Sequence, residues 1–222
     1  MTINGTVNKT AILLLLLILP AFWVWDKTIG AENPGVYYPW MIGGAIGGFI
    51  LALITIFKKT AAPYTAPLYA ICEGLLVGAI SAFFERMYPG IVFQATILTF
   101  GTLFALLIAY RSGMIRATEN FKLGVAAATG GIFLIYMATW ILGMFSVSIP
   151  FIHDSGLIGI GFSLFVVVIA ALNLVLDFDF IENGAKAGAP KYMEWYAAFG
   201  LLVTLIWLYI EMLRLLSKLN RR

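Results

Sequence analysis

Long apolar segments separated by short polar connections fill the chain almost from end to end. Seven of them come close to the roughly 20 residues that a helix needs to cross a ~30 Å hydrocarbon core. Their approximate bounds are 10–25, 39–57, 64–84, 91–110, 121–145, 157–176 and 195–216. The pattern predicts an all-α integral membrane protein, a seven-transmembrane-helix bundle that forms one membrane domain over residues 1–222.

The first segment ends in the aromatic residues Phe22, Trp23 and Trp25, which are typical of a helix that meets the lipid headgroups. A signal peptide is the alternative, since Gly30 and Ala31 are small enough for a cleavage site. No small-residue cleavage pattern stands at the usual distance from the apolar run, which favours a first transmembrane helix.

Composition excludes a water-soluble domain. Hydrophobic residues make up 62% of the chain, charged residues only 11%, and the mean hydropathy is +0.96. The net charge of +3 comes from Lys and Arg scattered in ones and twos, so we expect the lipid bilayer as a partner and no nucleic acid. The single cysteine, Cys72, permits no intrachain disulfide and no cysteine metal cluster.

Glycines recur four residues apart in two of the segments. The pairs are Gly43 with Gly47, Gly44 with Gly48, and Gly74 with Gly78. Because small residues at this spacing let helix backbones approach closely, we expect the second and third helices to pack tightly against neighbours.

Charges in the short connections predict the orientation. Lys58 and Lys59 join the second and third segments, and a second basic connection, with Arg111, Arg116 and Lys122, joins the fourth and fifth. Basic short loops stay in the cytoplasm, so the N-terminus is predicted inside and the connection 26–38 outside. Seven crossings then place the C-terminal tail outside although that tail is basic, so either the seventh segment is strained in its topology or it re-enters the membrane.

Glu73 is the one carboxylate deep inside a predicted span. It stands about nine residues into the third segment, roughly 13 Å deep at 1.5 Å per residue. A carboxylate at that depth is costly, so it should face the bundle interior or a wet cavity. One interpretation is an ion pathway; the other is a hydrogen bond from a neutral carboxyl group to a hydroxyl on another helix.

Two further groups of polar residues are candidates. At the end of the sixth segment Asp177 follows Asn173 by four residues, so both share one helix face, and a functional polar stripe is predicted there. Asp179 and Glu182 lie beyond it, as functional groups or as solvated loop charges.

On the seventh segment Gly200, Thr204 and Glu211 fall on one stripe. Glu211 has a simpler interpretation as a helical ion pair with Arg214. Thr204 likewise has a simpler interpretation, as a hydroxyl that hydrogen-bonds to the backbone of its own helix.

No enzymatic constellation is found. His153, Asp154 and Ser155 are adjacent, whereas acyl transfer needs an oriented nucleophile, base and orienting group. One histidine and one cysteine cannot make a zinc site. We therefore expect no enzyme activity, no cofactor and no bound metal.

Three stretches resemble the Bax inhibitor-1/YccA family, also called the transmembrane Bax inhibitor motif family, and in particular its bacterial-type members. They are YTAPLYAICEGLLVGAISAFF (64–84), GVAAATGG (124–131) and GIGFSLFVVVIAALNLVLDFDFIENGAKAGA (159–189). The resemblance implies a seven-helix bundle with a central seventh helix. It also implies, for some bacterial members, a pH-sensitive calcium leak in the plasma (inner) membrane.

The family pattern places particular roles on this chain. An acidic residue at the cytoplasmic end of the sixth span corresponds to Asp177. In the calcium-leak members a second Asp on the seventh span pairs with it, and here that position is Thr204. The basic end of the second span, which can latch the first Asp, corresponds to Lys58 or Lys59.

Two functions follow from the resemblance. The first is a pH-influenced cation leak, with calcium as the expected ion, in which Asp177 is the gate, Lys58 or Lys59 its counter-charge, and Glu73 an inner-pathway acid. Calcium prefers about six to eight oxygen ligands, and a full cage of them cannot be supplied by Glu73, Asn173, Asp177 and Thr204. We expect calcium ions or protons as partners and, for calcium, a hydrated pathway of low affinity. The second is a non-conducting regulator that binds other membrane proteins, such as a quality-control membrane protease.

Overall fold

A computed structural model describes residues 1–31, 33–145 and 156–221. Within these ranges the chain forms seven long helices and no strands, and each helix is long and apolar enough to span a membrane. They are α1 (Ile3–Ile29), α2 (Tyr38–Phe57), α3 (Ala62–Met87), α4 (Ile91–Arg111), α5 (Glu119–Met144), α6 (Leu157–Lys186) and α7 (Met193–Asn220). The predicted all-α fold with seven transmembrane helices is confirmed.

Helix α6 continues well beyond the predicted end of its apolar segment at residue 176. The interpretation of Asp179 and Glu182 as loop charges was therefore wrong, since both lie in the last turns of α6. Asn183 donates to Asp179 Oδ2 at 2.9 Å, and Glu182 forms an ion pair with Lys186 at 2.6 Å. These pairs, each four residues apart, support the helix where apolar burial ends.

The described chain falls into two compact units. Unit 1 contains Met1–Val92 and Asp179–Ile206, and unit 2 contains Phe93–Phe178 and Trp207–Arg222. Helices α6 and α7 thus contribute to both units. The single membrane domain stays a prediction.

In unit 1, α3 packs against both α1 and α2, and glycines make these contacts close. A methyl group on Gly44 would come within 2.6 Å of the Cys72 carbonyl oxygen of α3. Methyl groups on Gly74 and Gly78 would collide with the backbone carbonyls of Leu17 and Ala21 of α1. The predicted packing role of the glycines is confirmed for these three positions, because no side chain could be accommodated there without moving a backbone.

Two adjacent charged residues near the end of α3, Glu85 and Arg86, hydrogen-bond to the backbone at the end of α1 and at the start of α4. Arg86 donates from Nη2 to the carbonyl oxygens of Thr28 and Ala31 at the end of α1. Glu85 accepts from the backbone N–H groups of Gly90 at 2.6 Å and Val92 at 3.1 Å, at the start of α4. Both side chains therefore satisfy backbone groups that helix ends leave without intrahelical partners.

In unit 2, the packing centres on Ile132 of α5 and on Val166 and Ile169 of α6. Aromatic residues pack around this cluster, among them Tyr136, Phe162 and Trp207.

Helix α7 has the largest buried share of the seven described helices, with 56% of its most apolar stretch buried. It also carries the two buried charged side chains of the described residues: Glu194, 3% exposed, in unit 1 and Glu211, 1% exposed, in unit 2. A buried carboxylate is stable only with partners, and each of these has several.

Candidate functional site

Glu73 lies in the middle of α3, half-buried, between a tyrosine and a glycine. The Tyr69 hydroxyl, one helical turn earlier, donates a hydrogen bond to the Glu73 carboxylate. On the facing helix α2, a methyl group on Gly48 would come within 2.6 Å of Glu73 Oε1. The carboxyl group thus lies against a glycine of α2, and its hydroxyl partner comes from its own helix, whereas the sequence suggested one on another helix.

A line of aromatic rings connects Glu73 to the predicted basic end of α2. Tyr69 packs edge-on against Phe199 of α7, with ring centroids 4.8 Å apart. Phe199 contacts Tyr196 at 6.4 Å, and the Lys59 ammonium lies 5.2 Å from the centre of the Tyr196 ring. All five residues belong to unit 1. Two predicted site residues, Lys59 and Glu73, therefore stand at the two ends of one chain of contacts.

Lys58 and Thr204 occupy different surroundings in unit 1. Lys58 is exposed at the start of the short 3₁₀ segment Lys59–Ala61. Thr204 is 8% exposed, and its hydroxyl donates to the Gly200 carbonyl oxygen at 3.2 Å. The simpler interpretation of Thr204, a hydroxyl bonded to its own helix, is confirmed.

Asn173 and Asp177 lie on α6 in unit 2. The Asn173 amide donates to Thr129 Oγ1 and to the Ile169 carbonyl oxygen, both at 2.8 Å. Asp177 is half-buried one turn farther along the same helix. Thr129 had not been predicted as a site residue; the only sequence signal for it is a hydroxyl within an otherwise small and apolar stretch of α5.

Glu211 lies in a hydrogen-bonded polar cluster of unit 2. It accepts from the Tyr136 hydroxyl at 3.1 Å, from Arg214 Nη1 at 2.9 Å and from the Trp207 indole. The Arg214 guanidinium also stacks on the Tyr136 ring, 5.2 Å from its centre. The predicted ion pair with Arg214 is confirmed. The carboxylate is only 1% exposed, and these donors hold it in place between α5 and α7.

A second ion pair with a buried carboxylate, between Lys9 and Glu194, was not predicted from the sequence. Glu194 at the start of α7 accepts from the Lys9 ammonium and from the backbone N–H of Thr2, the latter at 2.9 Å. Lys9 also lies over the Trp195 ring at 5.6 Å. The partners are 185 positions apart. The only sequence signal for the pair is that two opposite charges each stand near the start of an apolar segment.

No group of three or more His, Cys, Asp or Glu side chains that could hold a metal ion occurs within residues 1–31, 33–145 and 156–221. His153, Asp154 and Ser155, considered above for acyl transfer, lie outside the described residues.

Comparison with known proteins identifies the family. No curated protein and no solved structure matches the chain. The family model described as Bax inhibitor 1 like matches residues 1–221, which includes every candidate residue considered above. With its seven apolar helices, the chain is an integral membrane protein that belongs to the Bax inhibitor 1 like family.

Proposed function

We propose that the protein is a pH-influenced cation leak, with calcium as the main ion, in a bacterial plasma membrane. The observation that carries the proposal is Glu73, a half-buried carboxylate in the middle of a transmembrane helix, set against a glycine of the neighbouring helix. Ionisable residues inside a membrane are costly and usually mark ion or proton pathways. Family membership supports the same function.

The proposed roles differ along the pathway. Glu73 attracts the cation within unit 1. Its hydrogen bond with Tyr69 occupies only one of the carboxylate lone pairs, and the others are available to a cation. Asp177 is the gate carboxylate, Asn173 and Thr204 line the pathway, and Lys58 or Lys59 supplies the counter-charge. Lys58 and Asp177 belong to separate units, and the latch between them stays a prediction from the sequence.

The pathway is proposed to pass hydrated calcium with low affinity. Calcium in a stable site takes about six to eight oxygen ligands, and the described residues contain no group of three or more His, Cys, Asp or Glu side chains that could hold a metal ion. Weak binding favours conduction, because an ion must leave its site as readily as it enters.

Thr204 favours a second candidate function. The position that carries a second Asp in calcium-leak members is here a buried threonine bonded to its own helix. A chain without that carboxylate fits a non-conducting regulator that binds other membrane proteins, such as a membrane protease.

Calcium flux into proteoliposomes separates the two candidates. The purified chain is reconstituted with a calcium indicator inside the vesicles, and flux is measured across a series of pH values. We expect protein-dependent flux that rises as the side corresponding to the cytoplasm is acidified. Protein-free vesicles and vesicles with Glu73→Gln are the controls. A trace equal to that of protein-free vesicles at every pH would exclude the leak and favour the regulator.

A further inference from the structure

Tyr69 is the buried partner of Glu73. Its side chain is 4% exposed, and its hydroxyl donates to the Glu73 carboxylate from one turn away on α3. A tyrosine at this spacing shares a helix face with the glutamate, so the hydrogen bond restrains the direction in which the carboxyl group points.

The Tyr69 ring is itself held by α7. Phe199, 4% exposed, meets it edge-on at 4.8 Å with an interplanar angle of 75°. Edge-to-face pairs of this kind are favourable and directional. Phe199 thereby limits the rotation of the ring that carries the hydroxyl.

Helix α2 bounds the other side of the carboxyl group. Because a Cβ atom on Gly48 would lie 2.6 Å from Glu73 Oε1 and 3.2 Å from its Cδ, the carboxyl group rests on the backbone surface that the glycine leaves open. The Glu73 carboxyl group therefore lies between Tyr69 of its own helix and the open surface at Gly48 of α2.

We infer that Tyr69 is the positioning residue of the Glu73 site, and that Phe199 transmits the position of α7 to Glu73 through the Tyr69 ring. The inference deepens the proposed function and rests on it for the role of Glu73. Its geometric part, that the Tyr69 hydroxyl orients the Glu73 carboxyl group, stands independently of ion conduction.

The first test is a double-mutant cycle on calcium flux. Tyr69→Phe removes only the hydroxyl and keeps the ring against Phe199, so flux should fall about threefold to tenfold, as expected for one lost hydrogen bond. In a Glu73→Gln background the same change should have little further effect on flux, because no ionised carboxylate remains for the Tyr69 hydroxyl to orient, and substitutions that act through one group are not additive. Parent-like flux in Tyr69→Phe, or an equal loss in both backgrounds, would overturn the inference.

The second test does not depend on conduction. The infrared difference spectrum between the parent and Glu73→Gln identifies the carboxyl bands of Glu73. Tyr69→Phe should shift these bands, and Phe199→Leu, which retains the hydroxyl but removes the ring contact, should shift or broaden them. Unchanged bands in both variants would disprove the positioning role.

Tyr136→Phe is the matched control, since it removes a phenolic hydroxyl from another carboxylate, Glu211. It should leave the Glu73 bands unchanged. Shifted Glu73 bands in a chain that conducts no calcium would reject the proposed function and retain the positioning geometry. If Tyr69→Phe does not fold, Phe199→Leu is used for both measurements, calcium flux and the infrared bands of Glu73, and unchanged values in both would disprove the positioning role.

Discussion

Gly48 of α2 lies directly against the carboxyl group of Glu73 of α3, with space for a hydrogen atom and none for a methyl group. The small residue and the acid are therefore one structural feature, although they are 25 positions apart in the sequence. Close helix contact at Gly48 both packs α2 against α3 and places the carboxylate at the helix interface.

Gly48→Ala should displace the carboxyl group of Glu73. A methyl group would come within 2.6 Å of Oε1, the end of a flexible side chain that can move aside, so the overpacking should cost no more than about 1 kcal/mol, the low end of its usual range. Gly43→Ala on the same helix is the matched control, because a Cβ there meets nothing within 4 Å. The infrared carboxyl bands of Glu73 should shift in Gly48→Ala and not in Gly43→Ala; unchanged bands in Gly48→Ala would contradict the close contact.

Glu73→Gln should lower calcium flux and leave the melting temperature close to that of the parent. Glutamine retains the size of the side chain and an oxygen that accepts from Tyr69, but it cannot ionise. The measurement combines flux at saturating calcium with a melting curve on the same preparation. A variant that conducts like the parent would assign Glu73 to hydrogen bonding alone.

Lys9→Met should destabilise the start of α7 by leaving Glu194 without its ammonium partner. Unpairing a buried polar group costs about 1–3 kcal/mol, and more for a charge. Glu119→Gln is the control, since that carboxylate is 85% exposed in its ion pair with Lys122 and should cost less than about 1 kcal/mol. Reversible unfolding in mixed micelles measures both.

The double variant Lys9→Met with Glu194→Gln removes both charges. It should recover part of the stability lost in Lys9→Met, because no unpaired buried carboxylate remains. Additive losses from the two substitutions would argue against a direct pair.

Asp177→Asn should leak at every pH. Asparagine has the size of aspartate and the neutral state of its protonated form, so it mimics the acidified gate. The parent should leak more as the cytoplasmic side is acidified. Protonation of Asp177 removes the negative charge that the proposed counter-charge, Lys58 or Lys59, attracts, and the gate then opens. Flux measured against pH for the two proteins decides this, and a parent-like pH curve for Asp177→Asn would remove Asp177 from the mechanism.

The connection between α2 and α3 (58–61) should be cytoplasmic and that between α1 and α2 (30–37) external. Lys58 and Lys59 are exposed in a very short connection, where the charge bias on orientation acts strongly. Single cysteines in each connection of a Cys72→Ala chain, treated with an impermeant thiol reagent on intact cells, measure the orientation. Labelling of the 58–61 cysteine from outside would reverse the predicted topology.

Features that depend on neighbouring positions were predictable from the sequence. The seven transmembrane helices follow from the length and polarity of each apolar segment, because the bilayer imposes a minimum span on every one. The ion pair between Glu211 and Arg214 follows from helical spacing, as does the hydrogen bond from Thr204 to its own helix. The depth of Glu73 is likewise a matter of counting residues along a helix.

Contacts between helices were decided only by the tertiary structure. A segment that is apolar on all sides does not specify which face turns toward a neighbour, so the contacts of Gly48 with Glu73 and of Asn173 with Thr129 could not be read from the pattern. Lys9 and Glu194 meet because α1 and α7 begin side by side, across 185 positions of sequence. The continuation of α6 to Lys186 was missed because polar side-chain pairs, and not hydrophobicity, sustain its last turns.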